Sequence, residues 1–289
     1  MRIANDSGRL ALVSADRILD VERASGGTLP ADPMDAFARW SDLAAWAGSI
    51  DVEAHPDSTA LAEAHLDSPS PRPRQVFGIG LNYADHAAES GLDLPENPLV
   101  FTKFSSSVAG PDVEVTLPGP TVDWEAELVV VIGKGGRFIP LAEARSHIAG
   151  FTVGQDLSER TVQWQGQPAQ FSVGKSFENF APVGPVVVTL DELPDAERLV
   201  LTTKIVGADG TETQVQNGNT DQLIFGVDEL IARLSETVEL LPGDLIFTGT
   251  PPGVGASREP KRFLIAGETL VTEIVGIGSI TQRFVEGAR

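Results

Sequence analysis

The sequence predicts an α+β protein that is mainly β-sheet, with helices at the periphery. Most apolar segments are short and rich in Val, Ile and Leu, which is typical of buried strands. Gly and Pro are frequent, 29 and 20 among 289 residues, and they separate these segments as turn signals. Helical patterns are few. The clearest strand predictions are Leu128–Ile132, Val183–Leu190, Leu199–Val206 and Leu245–Phe247.

The first 70 residues are predicted to form a small N-terminal domain, and residues 71–289 a larger second domain. The N-terminal part combines strand-like pieces at Leu10–Val13 and Arg17–Val21 with a helical pattern over Pro33–Trp46. Proline alternates with polar residues in Ser68–Arg74. That pattern favours an extended linker and ends any helix before it. The domain boundary is therefore placed near residue 70.

The larger part contains three predicted helices, at Asn82–Ser90, Leu141–His147 and Val227–Ser235. In the first of these, Asn82 is a good N-cap and Gly91 a natural helix stop. His86 and Glu89 are then neighbours on one helix face. A carboxylate that holds an imidazole fixes its tautomer and raises its basicity, so this pair is a candidate general base for water. An ordinary surface pair is the alternative interpretation.

Charge and composition exclude several classes of partner. The chain has 21 Lys and Arg against 41 Asp and Glu, a formal net charge of −20, which repels phosphate backbones and anionic lipid surfaces. Nucleic-acid and membrane partners are therefore not expected. The absence of cysteine excludes disulfides and thiolate metal sites and fits a reducing compartment. With no apolar stretch of about 18 residues, the protein is predicted to be soluble and cytoplasmic.

A carboxylate pair stands at the start of the apolar strand Leu128–Ile132. Period-two geometry places Glu125 and Glu127 on one face, with Asp123 beyond them. Adjacent carboxylates repel each other, so a cation or a proton is needed to offset them. A second strand-like segment ends in Asp156. Three oxygen ligands without Cys or a nearby His suit Mg²⁺, Mn²⁺ or Ca²⁺ and leave open positions for a substrate. A solvated acidic edge strand is the alternative.

Further polar residues follow these carboxylates along the chain. Arg160, Gln163 and Lys175 are each weak signals alone, because a lone basic residue is usually solvated at the surface. The segment Gly249–Gly255 contains Thr250 and two prolines that lack a backbone N–H. We therefore expect a rigid loop beside a ligand rather than a phosphate cradle.

Together these clusters resemble the fumarylacetoacetate hydrolase family over roughly Gln75 to Phe284. The resemblance implies a β-roll with a metal site at its mouth, and a homodimer. It also implies that the substrate is a small 2-oxo acid. The segments that carry the resemblance, in the expected order, are Gly80–His86, Asp123–Leu128, Gly154–Arg160 with Gln163, Gly174–Phe177, and Leu241–Gly255.

The resemblance also assigns roles to individual residues. It implies that the metal ligands are Glu125, Glu127 and Asp156. It implies that Lys175 stabilises an enolate or serves the base side of the reaction. It implies that His86 and Glu89 form the dyad that activates water and that Gln163 orients this water. The substrate contacts that it implies are Tyr83, Arg160 and Thr250.

The expected reaction is hydrolysis of a carbon–carbon bond in a 2,4-dioxo acid, giving pyruvate and a carboxylic acid. An acylpyruvate or a diketo-3-deoxy sugar acid would chelate Mg²⁺, or Mn²⁺, through its carboxylate and 2-oxo groups; Ca²⁺ would also bind in vitro. Decarboxylation of oxaloacetate, or isomerisation of an enol acid, needs the same bound metal ion and the same chelated 2-oxo acid. The dyad of His86 and Glu89 favours hydrolysis. A metal-binding protein without catalysis is the remaining alternative.

Overall fold

Strands dominate the structure, a computed structural model that describes residues 1–89, 91, 93–193 and 195–287. The strands of that part are β1 (Arg2–Asp6), β2 (Arg9–Ser14), β3 (Arg17–Asp20), β4 (Thr59–Ala60), β5 (Leu66–Asp67), β6 (Val76–Gly80), β7 (Leu99–Thr102), β8 (Val108–Ala109), β9 (Asp112–Leu117), β10 (Val122–Asp123), β11 (Ala126–Ile132), β12 (Ile148–Gln155), β13 (Ser158–Glu159), β14 (Ala181–Val188), β15 (Val200–Val206), β16 (Glu212–Asn219), β17 (Leu245–Phe247), β18 (Thr269–Ile274) and β19 (Gly278–Glu286). The α-helices are α1 (Val21–Ala24), α2 (Pro33–Ala38), α3 (Trp40–Ala47), α4 (Ala84–Glu89), α5 (Leu141–Ala144), α6 (Arg160–Gln163), α7 (Phe171–Gly174) and α8 (Val227–Thr237). The predicted fold class, mainly β with peripheral helices, is confirmed.

Two predicted helices differ from the structure in an informative way. The pattern over Pro33–Trp46 forms two helices, because the backbone of Arg39 leaves helical geometry between α2 and α3. The helix predicted over Asn82–Ser90 is α4, and its predicted last residue, Ser90, lies outside the described residues. Asn82 does not cap α4. Its buried side chain instead bonds the backbone of Phe225 and Thr248, so it ties loops together.

A large mixed sheet has the strand order β4-β3-β2-β1-β14-β12-β11-β17-β6-β7. Most neighbours are antiparallel, but β17 and β6 are parallel. A second sheet has the order β16-β15-β18-β19-β9, and β10 pairs with β13. Because β11 runs antiparallel to β12, Ala126 at the start of one lies opposite Gln155 at the end of the other. This register brings the residues that flank both strands to the same edge of the sheet.

Both faces of the central strand β11 are buried. Every residue of β11 is buried, and its side chains alternate between two hydrophobic clusters. Val130 packs in a cluster that also contains α8 residues such as Leu230. Val129 packs in another cluster with Phe37 and Leu43 from the N-terminal helices. The N-terminal segment therefore covers one face of the strand that leads to the acidic residues.

The proposed division at residue 70 stays a prediction. The N-terminal strands continue the large sheet, because β1 pairs with β14 through Arg2 opposite Val188. The hydroxyl of Ser70 also donates to the carbonyl of Gly243. Among the described residues, no helix is long and apolar enough to cross a membrane.

Candidate active site

Three carboxylates meet at one edge of the large sheet. Glu127 lies on β11, Glu125 immediately before it, and Asp156 immediately after β12. The ladder continues beyond both strands, because the Asp156 N–H donates to the Glu125 carbonyl at 2.9 Å. One ligand oxygen from each side chain lies within 4.8 Å of the other two. The structure therefore brings together the three residues that the sequence predicts as metal ligands.

The buried carboxylate of Glu127 needs a positive partner. Burial, together with the negative charges of Asp156 and Glu125, raises the pKa of Glu127 well above its usual value. Its Oε2 accepts a hydrogen bond of 2.7 Å from the Gly249 N–H, which offsets only part of this cost. Gly249 has a φ of +105°, a conformation that favours glycine. An all-oxygen donor set with this deficit of positive charge fits a hard divalent cation.

Lys175 connects two of the three carboxylates. Its ammonium donates to Glu125 Oε2 at 2.7 Å, to Asp156 Oδ2 at 2.6 Å and to Ser158 Oγ at 2.8 Å. Burial alone would lower the pKa of Lys175, but Asp156 and Glu125 raise it overall. Burial alone would likewise raise the pKa of Glu125, but Lys175 and Arg160 lower it to about 2. Both groups are therefore charged at neutral pH.

Lys103 is a site residue that the sequence analysis missed. It directly follows β7, its side chain is 0% exposed, and its ammonium contacts Asp156 Oδ1 at 2.5 Å. It also donates to the carbonyl of Lys175. Burial lowers the pKa of Lys103, although Asp156 acts against that shift. A signal was present: Lys103 is two residues beyond the buried Phe101, so period-two geometry places both on one face.

Arg160 links the carboxylate cluster to the loop that follows Thr250. It pairs with Asp123 Oδ2 at 2.8 Å and with Glu125 Oε1 at 2.7 Å, and it donates to Gln163 Oε1 at 2.9 Å. Asp123 also accepts from the backbone N–H groups of Gly255 at 2.7 Å and Ala256 at 2.9 Å. Asp123 is thus an anchor for this loop and for Arg160, and it is separate from the three-carboxylate group.

The predicted dyad is formed on α4. His86 Nδ1 lies 3.0 Å from Glu89 Oε2, and the carboxylate of Glu89 also accepts from the Gly253 N–H at 3.1 Å. The loop after Thr250 therefore holds Glu89, which in turn orients the imidazole of His86. With Nδ1 engaged by a carboxylate, Nε2 is the ring nitrogen that can accept a proton.

A cavity of about 260 Å³ connects the dyad with the carboxylates. This volume is close to the lower end of the range for small-molecule sites, roughly 300–1,000 Å³. The predicted site residues that line it are His86, Glu125, Glu127, Arg160, Gln163, Lys175 and Thr250. Glu89 and Asp156 lie behind that lining, in contact with His86 and Lys175 respectively.

Tyr83 lies outside the described lining of the cavity, and its role as a substrate contact stays a prediction. It is completely buried, it is absent from the described lining of the cavity, and its hydroxyl has no hydrogen-bond partner among the described residues. Burial and the nearby charge of Glu127 raise its pKa well above the usual value. The geometry thus gives no support to Tyr83 as a substrate contact, because its ring packs inside the protein just before α4. Thr250 does line the cavity, and its Oγ1 accepts from Gln216 at 2.9 Å.

Comparison with known proteins gives a consistent family. The family model described as fumarylacetoacetate (FAA) hydrolase C-terminal matches residues 75–285. The human protein named oxaloacetate tautomerase FAHD2A, mitochondrial, is 43% identical over 226 residues, which are 78% of this chain and 70% of that protein. A crystal structure of a Mycobacterium smegmatis protein described as HpcE has a TM-score of 0.92 and 51% identity over 100% of both chains. Maleylpyruvate hydrolase from Sphingobium sp. SYK-6, in complex with manganese(II) ion and pyruvate, has a TM-score of 0.80 and 27% identity over 100% of both chains.

Proposed function

The chain belongs to the fumarylacetoacetate hydrolase family, and we propose that within this family of enzymes it hydrolyses a carbon–carbon bond of a 2,4-dioxo acid. The observation that carries this proposal is the dyad of His86 and Glu89, which opens into the same cavity as the carboxylate cluster. A metal site alone would serve several reactions. A positioned general base beside it favours the one that consumes water.

The divalent ion is assigned to Glu125, Glu127 and Asp156, with Mg²⁺ as the proposed metal and Mn²⁺ as its nearest substitute. The relative solved with manganese(II) ion and pyruvate supports a 2-oxo acid as the ligand of such a site. When bound, the ion supplies a Lewis acid that polarises the 2-oxo group and stabilises developing negative charge. Arg160 and Thr250, both in the cavity lining, are the proposed substrate contacts.

The side chains of the cavity divide the remaining work. His86 Nε2 removes a proton from water while Glu89 stabilises the resulting imidazolium, and Gln163 orients that water. The hydroxide attacks the distal carbonyl carbon, and the bond from that carbon to the central methylene breaks. The electron pair goes to the pyruvate fragment as an enolate, whose charge the ammonium of Lys175 offsets. Protonation of the enolate gives pyruvate, and the other product is a carboxylic acid.

A tautomerase or decarboxylase is the second candidate. The human relative at 43% identity is named an oxaloacetate tautomerase, and that reaction also passes through the enol form of a 2-oxo acid. Decarboxylation needs no attacking water and, with a metal as electron sink, no base directed at water. Tautomerisation also needs no attacking water, but it moves a proton between C3 and the 2-oxo oxygen and so requires an acid–base group. Hydrolysis and decarboxylation therefore differ in their dependence on His86.

Replacement of His86 separates hydrolysis from decarboxylation. His86→Ala should lower acylpyruvate cleavage by about 10² to 10⁴, the usual contribution of a general base, and should change oxaloacetate decarboxylation much less. His65→Ala, at an exposed histidine, is the matched control and should retain full activity. Metal content is measured alongside. Cleavage at the wild-type rate by a metal-loaded His86→Ala enzyme would favour the second candidate.

Homodimer assembly, cytoplasmic location and the lack of nucleic-acid or membrane partners stay predictions. Sedimentation and cell fractionation would check the first two.

A further inference from the structure

The outer part of the cavity has a different chemical character from its acidic end. The charged groups in its described lining are His86, Glu125, Glu127, Arg160 and Lys175, all of which belong to the site above. The remaining lining is mainly apolar and includes Ile79, Leu99, Phe101, Trp164, Phe171 and Val254. A ligand held at the acidic end therefore extends along an apolar wall.

Three rings form a continuous row on this wall. The ring of Phe101 lies 4.9 Å from Lys175 Nζ. Phe171 contacts Phe101 edge to face with the ring centroids 6.0 Å apart, and Trp164 contacts Phe171 in the same way at 5.1 Å. We call Phe101, Phe171 and Trp164 the aromatic row. It leads from the proposed enolate-stabilising lysine to the protein surface.

The exposure of these rings increases along the row. Phe101 is 7% exposed and Trp164 is 61% exposed, with Phe171 between them. Leu99, on the same strand as Phe101, is 43% exposed at the cavity. Large apolar side chains grouped beside a cavity are typical of ligand contacts, because water must otherwise cover them.

Two of the elements that carry the row are joined by a hydrogen bond. Phe101 lies on β7, Phe171 begins α7, and Trp164 follows α6. The backbone N–H of Thr102 donates to Ser172 Oγ at 3.2 Å, which joins β7 to α7. This contact positions the ring of Phe171 relative to that of Phe101.

The basic groups of the described lining, Arg160 and Lys175, lie at the acidic end, where they are paired with carboxylates and where the 2-oxo acid is proposed to bind. Arg160 is paired with Asp123 and Glu125, and Lys175 with Glu125 and Asp156. In the described part of the chain, the cavity lining therefore offers no unpaired cation along the aromatic row. A second carboxylate on the substrate that lay against the inner rings, Phe101 and Phe171, would lose water without gaining a partner, which is unfavourable.

We propose that the substrate of this site carries an uncharged, apolar acyl group that packs along the aromatic row. This inference rests on the proposed function and narrows it to acylpyruvates with an alkyl or aryl acyl chain. Sugar-derived diketo acids and diacids are disfavoured, because hydroxyl and carboxylate groups would lose water against the more buried rings of Phe101 and Phe171.

Binding of stable 2-oxo acids tests the wall independently of turnover. Calorimetry on the Mn²⁺-loaded protein would compare pyruvate, 2-oxobutanoate, 2-oxohexanoate and 2-oxooctanoate. The Kd should fall about fourfold for each added methylene, the equivalent of ~0.8 kcal/mol per buried CH₂. 2-Oxoadipate has the same number of carbon atoms as 2-oxohexanoate but carries a terminal carboxylate. It should bind at least tenfold more weakly than 2-oxohexanoate, because this carboxylate would have no cationic partner along the aromatic row.

Variants of Trp164 identify the surface responsible. Trp164→Ala should reduce the gain per methylene to under about twofold, whereas Trp164→Arg should reverse the preference in favour of 2-oxoadipate. Leu141→Ala is the matched control, because Leu141 is 59% exposed and lies outside this lining. The Leu141→Ala variant should show the same dependence of Kd on chain length as the wild-type protein.

Three results would overturn the inference: equal affinity across the series, tighter binding of 2-oxoadipate by wild type, or an unchanged gain per methylene in Trp164→Ala. Trp164→Ala could instead alter the sedimentation of the protein and keep the wild-type gain in affinity per methylene. In that case the exposed rings would form a contact between two copies of this chain. Acetylpyruvate turnover in the same preparations keeps the two proposals distinct. Chain-length-dependent binding without pyruvate release would contradict the hydrolase proposal and leave the apolar wall supported.

Discussion

Replacement of Lys103 by methionine should destabilise the protein far more than a surface change of the same type. Lys103 is fully buried and its ammonium contacts Asp156 at 2.5 Å. Methionine has a similar length but no charge, so the variant leaves Asp156 in a cluster that is rich in carboxylates. The described acidic side chains of that cluster are Glu125, Glu127 and Asp156, and Asp123 lies beside it as the partner of Arg160. The basic side chains there are Lys103, Arg160 and Lys175.

The magnitude follows from burial. Removal of one partner from a buried ion pair costs about 3–5 kcal/mol. At roughly 2–4 °C for each kcal/mol in a chain of this size, the Tm of the metal-free protein should fall by about 10 °C. A divalent cation replaces part of the lost positive charge, so the loss should be smaller after addition of Mn²⁺.

Thermal unfolding of the metal-free and Mn²⁺-loaded proteins measures both effects. Lys204→Met is the control, because Lys204 pairs with Glu212 at 2.9 Å but both side chains are largely exposed. Such a pair contributes about 0–1 kcal/mol, so this Tm should change by no more than a few degrees. If Lys103→Met and Lys204→Met unfolded at the same temperature, the buried pair would not support Asp156 as described.

Three further predictions concern the metal and the dyad. The pKa of Glu127 is raised, so the folded, metal-free protein binds an extra proton and loses stability as the pH rises above the usual carboxyl range. Chelation of the metal should therefore lower the Tm more at pH 8 than at pH 6. A pH-independent effect in calorimetric scans would contradict this. Asp156→Asn should weaken Mg²⁺ binding, so that excess metal partly restores turnover. Unchanged metal affinity in titrations would remove Asp156 from the ligand set. The double variant with Lys103→Met should be more stable than the sum of the two single losses of stability implies. Glu89→Gln should lower kcat for acylpyruvate cleavage less than His86→Ala does, because the imidazole stays in place with a weaker partner. Equal losses of kcat in steady-state kinetics would indicate that Glu89 does more than orient His86.

The acidic centre could be predicted from the sequence because strand geometry determines it. Glu125 and Glu127 alternate with buried residues at the start of a strand, and Asp156 ends another. Once the strands pair in antiparallel fashion, their ends must meet. The pair of His86 and Glu89 was similarly accessible, since helical spacing is local.

The residues that the sequence left out or misplaced depend on tertiary contacts. Lys103 shares a strand face with the buried Phe101, but a lysine after an apolar run is usually solvated. Its partner Asp156 lies 53 positions further along the chain, so the local pattern alone did not decide between burial and exposure. Asn82 has the chemistry of a helix cap, but three hydrogen bonds to the backbone of Phe225 and Thr248 hold its side chain instead. Tyr83 was assigned by resemblance alone, and its burial depends on packing that no motif records. The aromatic row likewise joins β7 to residues more than 60 positions away.

Release of pyruvate from an alkyl acylpyruvate tests the central claim most directly. The protein would be stripped of metal and reloaded with increasing Mg²⁺ or Mn²⁺, with both products quantified by chromatography. The proposed function predicts one pyruvate for each carboxylic acid, at a rate that rises to saturation with metal and disappears on chelation. Absence of pyruvate from protein that binds the metal and rapidly tautomerises oxaloacetate would contradict it.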